Sequence, residues 1–153
     1  MITFEYTDSF DYPAAAVFTL LTDLEARPTW IEGILEIRVT PEGPARLGTS
    51  YFEAGKFSGF KSEKTMLVTK CEQDRLVTLA TPAEVRDSFC ESYRIEPLSE
   101  GACRVHFTVE VGGVAKVAEF FMRQSMKKAQ PQNAVRLKSV LASRTPPGKL
   151  TVS

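Results

Sequence analysis

Charge of one sign is the first thing this chain lacks: 19 lysines and arginines stand against 19 aspartates and glutamates. Binding nucleic acid through its phosphates needs a basic surface, so no nucleic-acid partner is expected. Histidine is reduced to His106 alone. It alternates with Val105 and Phe107, which puts it on the opposite, solvated face of a strand and leaves Ser-His-Asp or Cys-His chemistry without a base. The 3 cysteines, Cys71, Cys90 and Cys103, have neither zinc nor redox spacing. They read as small buried hydrophobes of a reduced, cytoplasmic protein. Without clustered cysteines, a second histidine or an Asp-rich loop, no metal is expected. Gly55, Gly112 and Gly113 fit strand ends and turns rather than a phosphate-cradling loop, so no cofactor is implied. No apolar run reaches the length of a membrane-spanning helix. The opening Met1-Ile2-Thr3-Phe4 lacks the basic flank and apolar core of a secretory signal.

What the chain does have is 153 residues, 43% of them hydrophobic. That is enough for one domain burying roughly two-thirds of its unfolded surface. The most informative stretch is 88–111, a strand pair turning at Ser99-Glu100-Gly101. Phe89, Glu91, Tyr93 and Ile95 share one parity, and Val105, Phe107, Val109 and Val111 share another, so each set lies on one face of an antiparallel ribbon. The bulky side must lie on a helix or enclose something against it. One carboxylate, Glu91, falls on that apolar side.

Elsewhere the pattern predicts a first strand over 2–11, then a helix over 14–24 with Val17, Phe18, Leu21 and Leu24 on one side. Pro28 interrupts, and 29–33 holds at most one further short helix carrying Trp30. Leu35, Ile37 and Val39 then alternate with Glu36, Arg38 and Thr40 as a strand, closed by Pro41-Glu42-Gly43-Pro44. Further strands are expected over 49–57, 63–71 and 75–81. A long helix follows over 114–143, with Val114, Val117, Ala118, Phe121, Met122, Ser125 and Ala129 on one stripe and Ala134, Leu137, Val140 and Leu141 continuing it. Pro131 predicts a kink or break near 127–130. The basic residues of this helix, Lys116, Arg123, Lys127, Lys128, Arg136 and Lys138, read as a solvated outer face, and no stable membrane insertion is expected. Residues 1–144 form the expected domain and 145–153 a loose tail.

The order of these elements resembles the START-like (SRPBCC) superfamily, which includes polyketide cyclases and dehydrases and lipid-transfer domains. The strings that carry the resemblance are Pro13-Ala14-Ala15-Ala16-Val17-Phe18 with Leu21-Thr22-Asp23 and Trp30, Leu47-Gly48-Thr49 entering a strand, and Tyr93-Arg94-Ile95-Glu96-Pro97-Leu98 followed by Gly101. They span about residues 2 to 143. The resemblance implies an α+β helix-grip fold. A curved seven-stranded antiparallel sheet would wrap the C-terminal helix, with two short helices after the first strand and a cavity between sheet and helix.

Aligned in that way, Phe89, Glu91 and Tyr93 point inward beside Phe107 and Val109, and Met66 and Val68 join them. Phe121, Met122 and Ser125 face them from the helix, and Trp30 closes one end. Around Tyr51 and Phe52 aromatics occupy both parities, and the inner face is not assigned. Aromatic and sulfur-bearing walls with few polar groups describe a pocket for a hydrophobic small molecule. Glu91, if unpaired in apolar surroundings, would have its pKa raised and would exchange a proton with a ligand or anchor a ligand hydroxyl. Paired to a neighbouring strand, it would be structural. Three functions follow: a carrier or sensor of a lipid-like, polyketide-like or other aromatic molecule, a cyclase or dehydrase-like lyase using Glu91 and Tyr93, or a protein-interaction or quinone-chaperone module. A noncatalytic role is the leading expectation, and nothing in the chain sets an oligomeric state.

Overall fold

Strict alternation of small or aromatic apolar residues with polar ones makes β7 (Ala102–Val111) the most regular strand, with Cys103, Val105, Phe107, Val109 and Val111 all buried. Each such side chain contributes about 1.5–3 kcal/mol by leaving water. The computed structural model describes residues 2–57 and 60–144; the expected tail, 145–153, lies outside the described residues.

Before β7 come β1 (Ile2–Phe10), α1 (Ala14–Leu21), a single 3-10 turn (Leu24–Ala26), α2 (Arg27–Trp30), β2 (Ile34–Thr40), β3 (Ser50–Phe57), β4 (Phe60–Glu72), β5 (Leu76–Ala80) and β6 (Phe89–Ser99), and after it α3 (Lys116–Arg144). The strands form one antiparallel seven-stranded sheet in the order β1-β7-β6-β5-β4-β3-β2. β1 and β2 therefore sit at opposite edges, and the segment with α1 and α2 runs between them. α3 crosses beside β1 and α2, completing the helix-grip arrangement that the order of elements implied.

Four expectations change in detail. The first helix ends at Leu21 rather than Leu24, where the Thr22 hydroxyl donates to the Phe18 carbonyl at 2.7 Å. Pro28 does not interrupt a helix; it sits in the first turn of α2, where a missing N–H leaves no bond unmade. In β2 a register shift between Ile34 and Glu36 breaks the parity, so Ile34 is buried while Leu35 is 77% exposed. Of the expected kink or break at Pro131 the break is absent, and α3 runs on as helix through it, since losing one backbone donor does not end a helix of 29 residues.

The undecided strand is settled by β3. Tyr51, Glu53 and Gly55 face inward and are buried, while Phe52 lies outside with the Arg38 guanidinium 4.6 Å from its ring centroid. All three cysteines are free, but only Cys103 is fully buried; Cys71 and Cys90 are half-buried. At the β7–α3 junction Gly113 adopts φ 74°, and a Cβ there would stand 2.7 Å from Asp87 Oδ1, so only glycine fits.

The apolar core joins the inner sheet face to α1, α2 and one half of α3, with Phe10, Phe18, Leu21, Trp30, Val105, Leu137 and Leu141 in a single cluster. In α3 only Ala134, Leu137 and Leu141 are buried, and Val117, Phe120 and Phe121 are 76%, 61% and 67% exposed. The predicted stripe thus packs in its second part and stays open in its first.

Candidate functional site

Arg27 is the side chain that organises the interior, and it comes from the short α2 rather than from the sheet. It is 1% exposed, and each of its nitrogens finds a partner on a strand. Nε donates to Glu53 Oε1 at 2.9 Å, Nη1 to the Tyr93 hydroxyl at 3.0 Å, and Nη2 to Glu91 Oε2 at 3.1 Å. The Tyr93 hydroxyl also donates a short hydrogen bond to Glu91 Oε2. Lys64 Nζ on β4 lies 3.6 Å from Glu53 Oε2, so two cations balance two carboxylates. Tyr51 lies against the same guanidinium, 5.5 Å from ring centroid to Cζ.

These contacts decide the protonation states. Burial acts to raise the Glu91 pKa, but the Arg27 charge, the Tyr93 hydrogen bond and the Lys64 charge outweigh it and hold the carboxyl below its ordinary range. Burial likewise acts against the Arg27 charge, and Glu53, the two tyrosines and Glu91 more than compensate. Tyr93 and Tyr51 are both pushed up, chiefly by burial, so both keep their protons at neutral pH. Of the two alternatives for Glu91 the paired one holds, with the cation coming from α2 rather than from a neighbouring strand: a carboxylate in apolar surroundings has recruited a buried arginine. In this state Glu91 accepts hydrogen bonds or protons, while the Tyr93 hydroxyl accepts from Arg27 and donates its own proton to Glu91.

Beside the cluster is a small cavity of about 30 Å³, lined by Trp30, Ile31, Glu91, Tyr93, Phe107, Val109, Gln130 and Asn133. Trp30 packs edge-on to Tyr93, and Tyr93 edge-on to Phe107, with ring centroids 6.0 and 5.6 Å apart. Two buried polar atoms, Trp30 Nε1 and the Tyr51 hydroxyl oxygen, have no hydrogen-bond partner among the described residues. A larger open concavity of about 670 Å³ lies elsewhere, around α1 and Gly43 to Arg46, on the outside of the molecule.

Of the side chains expected to line an interior site, Trp30, Glu91, Tyr93, Phe107 and Val109 meet at this cavity. Met66 and Val68 are buried in the core cluster. Phe89 is half-buried, with Lys64 Nζ 4.0 Å from its ring centroid. Met122 and Ser125 are half-buried away from the cavity walls, and Phe121 faces solvent, because the first part of α3 buries no residue against the sheet. His106 stays on the outer face, where Nδ1 is 3.1 Å from Thr7 Oγ1 and Nε2 is 3.6 Å from Glu96. Among the described residues no group of histidine, cysteine, aspartate and glutamate could hold a metal ion. No helix among them is long and apolar enough to cross a membrane.

Arg27, Glu53, Tyr51 and Lys64 were missed in the sequence. The available signal was indirect: an inward carboxylate demands a cation, and no inward-facing strand position near Glu91 supplies an arginine.

Residues 1–142 match the sequence profile of the family described as polyketide cyclase / dehydrase and lipid transport. No curated protein matches the chain. Solved structures share its architecture. A START superfamily protein from Mycobacterium smegmatis superposes with a TM-score of 0.77 at 13% identity, covering 94% of this chain and 99% of that one. A Thermus thermophilus protein gives a TM-score of 0.70 at 16% identity, with 94% and 96% covered. The Zhui aromatase/cyclase from a Streptomyces species gives 0.67 at 12% identity, with 94% and 92% covered.

Proposed function

Because the chain belongs to the polyketide cyclase / dehydrase and lipid transport family, we propose that it binds a hydrophobic small molecule between the sheet and α3, as a carrier or sensor. The observation that carries this reading is the cavity beneath α3, where apolar walls from Trp30, Phe107 and Val109 meet the partly accessible Glu91 carboxylate. At about 30 Å³ it is far smaller than the several hundred Å³ of a typical ligand pocket. A lipid-sized or polycyclic guest therefore requires the first part of α3 to move away from the sheet. That movement forfeits little, since the buried residues of α3 all lie at Ala134 and beyond. Exposed Val117, Phe120 and Phe121 would gain burial against a bound apolar molecule. The unpaired cysteines accord with a cytoplasmic carrier.

A cyclase or dehydrase-like activity is the second reading, favoured by the hydrogen-bonded Arg27–Tyr93–Glu91 chain at the cavity. Glu91 would there be the base and Tyr93 the proton donor.

Trp30 is the only tryptophan, so its emission reports directly on the site. A panel of apolar fluorescent probes is expected to bind and to quench Trp30. Gln130→Phe, which puts a large ring into the cavity from α3 without adding a second tryptophan, is expected to weaken binding at least about tenfold with the fold intact, as read by circular dichroism. Native mass spectrometry showing only the bare chain, together with no binding by any probe, would sink the proposal.

A further inference from the structure

A cavity of about 30 Å³ has room for one water-sized group, so it fits the polar end of a ligand rather than the whole of one. Its hydrogen-bonding inventory is short. Arg27 has Nε, Nη1 and Nη2 engaged by Glu53, Tyr93 and Glu91. The Tyr93 hydroxyl accepts from Arg27 and donates to Glu91. Both bonds that Glu91 accepts arrive at Oε2, and Oε1 takes none among the described residues. Trp30 is 3% exposed and its indole N–H is unpaired. Besides the amides of Gln130 and Asn133, the lining thus carries one unused acceptor on a charged carboxylate and one unused buried donor.

The geometry points to a subsite that selects neutral hydroxyl-bearing hydrophobic molecules, alcohols or phenols, over carboxylic acids of the same shape, with Glu91 accepting from the ligand hydroxyl and Trp30 donating to it. A hydroxyl both donates and accepts, and so satisfies both groups at once. An ether satisfies only the indole. A carboxylate offers no proton to Glu91 and meets its charge, while the Arg27 charge that would otherwise attract it is already shared between Glu53 and Glu91. Lys64, a half-buried cation beside Glu53 and the Phe89 ring, is not among the cavity walls. Gln130 and Asn133 close the cavity from α3 with uncharged amides, Asn133 Oδ1 accepting from the Glu32 backbone N–H at 3.3 Å.

This inference rests on the hydrophobic-ligand reading, and four naphthalenes separate the two. Naphthol, methoxynaphthalene, naphthoate and unsubstituted naphthalene, with the substituent at the same ring carbon, are titrated into the protein by calorimetry at neutral pH. Naphthol is expected to bind about tenfold tighter than methoxynaphthalene and tighter still than naphthoate, the size of effect a charge-assisted hydrogen bond supplies. Glu91→Gln is expected to narrow the gap between naphthol and naphthoate at least about tenfold, because it removes the repelling charge. Trp30→Phe keeps a ring in place and is expected to bring methoxynaphthalene down to the affinity of naphthalene; it carries the test should Glu91→Gln fail to fold. Equal affinities across the series, naphthoate binding as tightly as naphthol, or a ranking unaltered in both variants would overturn the subsite while leaving the hydrophobic-ligand reading standing. Binding by none of the four would remove that reading and the subsite with it.

Discussion

The two parts of α3 have similar apolar content and opposite fates. From Ala134 onward, Ala134, Leu137 and Leu141 are buried in the same cluster as Phe10, Phe18 and Val105. Before Pro131, Val117, Phe120 and Phe121 are exposed, and the two phenylalanines pack edge-on against each other, 5.7 Å between centroids. Apolar residues at helical spacing create a face, and burial then depends on an opposing surface. The second part carries every fully buried residue of α3, whereas the first buries none and is tied to β1 by Arg123 Nη1, which donates to the Thr3 carbonyl at 3.3 Å. One end of the interior is thus a filled core, and the other meets a charged cluster beside a small cavity under a lightly held helix.

The comparison is broken most severely at the cluster. Arg27→Met leaves Glu53 and Glu91 facing each other without their shared cation, and is expected to cost about 3–5 kcal/mol in urea unfolding. Adding Glu53→Gln and Glu91→Gln should recover much of that loss, whereas no recovery would mean that Arg27 acts through packing alone. On the filled side, Leu137→Ala is expected to cost about 3 kcal/mol, against less than about 0.5 kcal/mol for Phe121→Ser, both by thermal or urea denaturation. Equal costs would erase the distinction between the two parts of the helix.

Acid separates the ends more gently. The Glu91 carboxyl is held below its ordinary value of 4.5, so its contribution to stability is complete above that value and is lost as the pH falls through the lower folded-state value. Glu91→Gln should therefore flatten the acid limb of a melting-temperature profile below about pH 4.5 and leave the neutral region parallel. An unchanged acid limb would show that Glu91 is not held ionised.

The fold was legible to a large extent because period-two alternation and helical spacing are local signals. β6 and β7 were readable to within a residue or two, and Glu91 and Tyr93 were placed correctly on the inward face. Parity failed where the backbone departs from regularity, as at the bulge that turns Leu35 outward. It was silent at β3, where aromatics on both sides left the inward position of Tyr51 and Glu53 undetermined. The candidate site was half legible. The strand residues could be named, but Arg27 lies 64 positions from Glu91 along the chain and in a turn that Pro28 disguises.

By itself the sequence determined which residues alternate, where strands and helices lie and that a carboxylate would point inward, since these depend on neighbours a few positions apart. Tertiary structure alone decided that an arginine from α2 would neutralise that carboxylate, that the hollow would shrink to the size of one polar group, and that half of α3 would stay uncovered. Those outcomes are set by which surfaces meet across the sheet. Coulomb attraction in a buried, weakly screening interior acts through space, and no local periodicity encodes it.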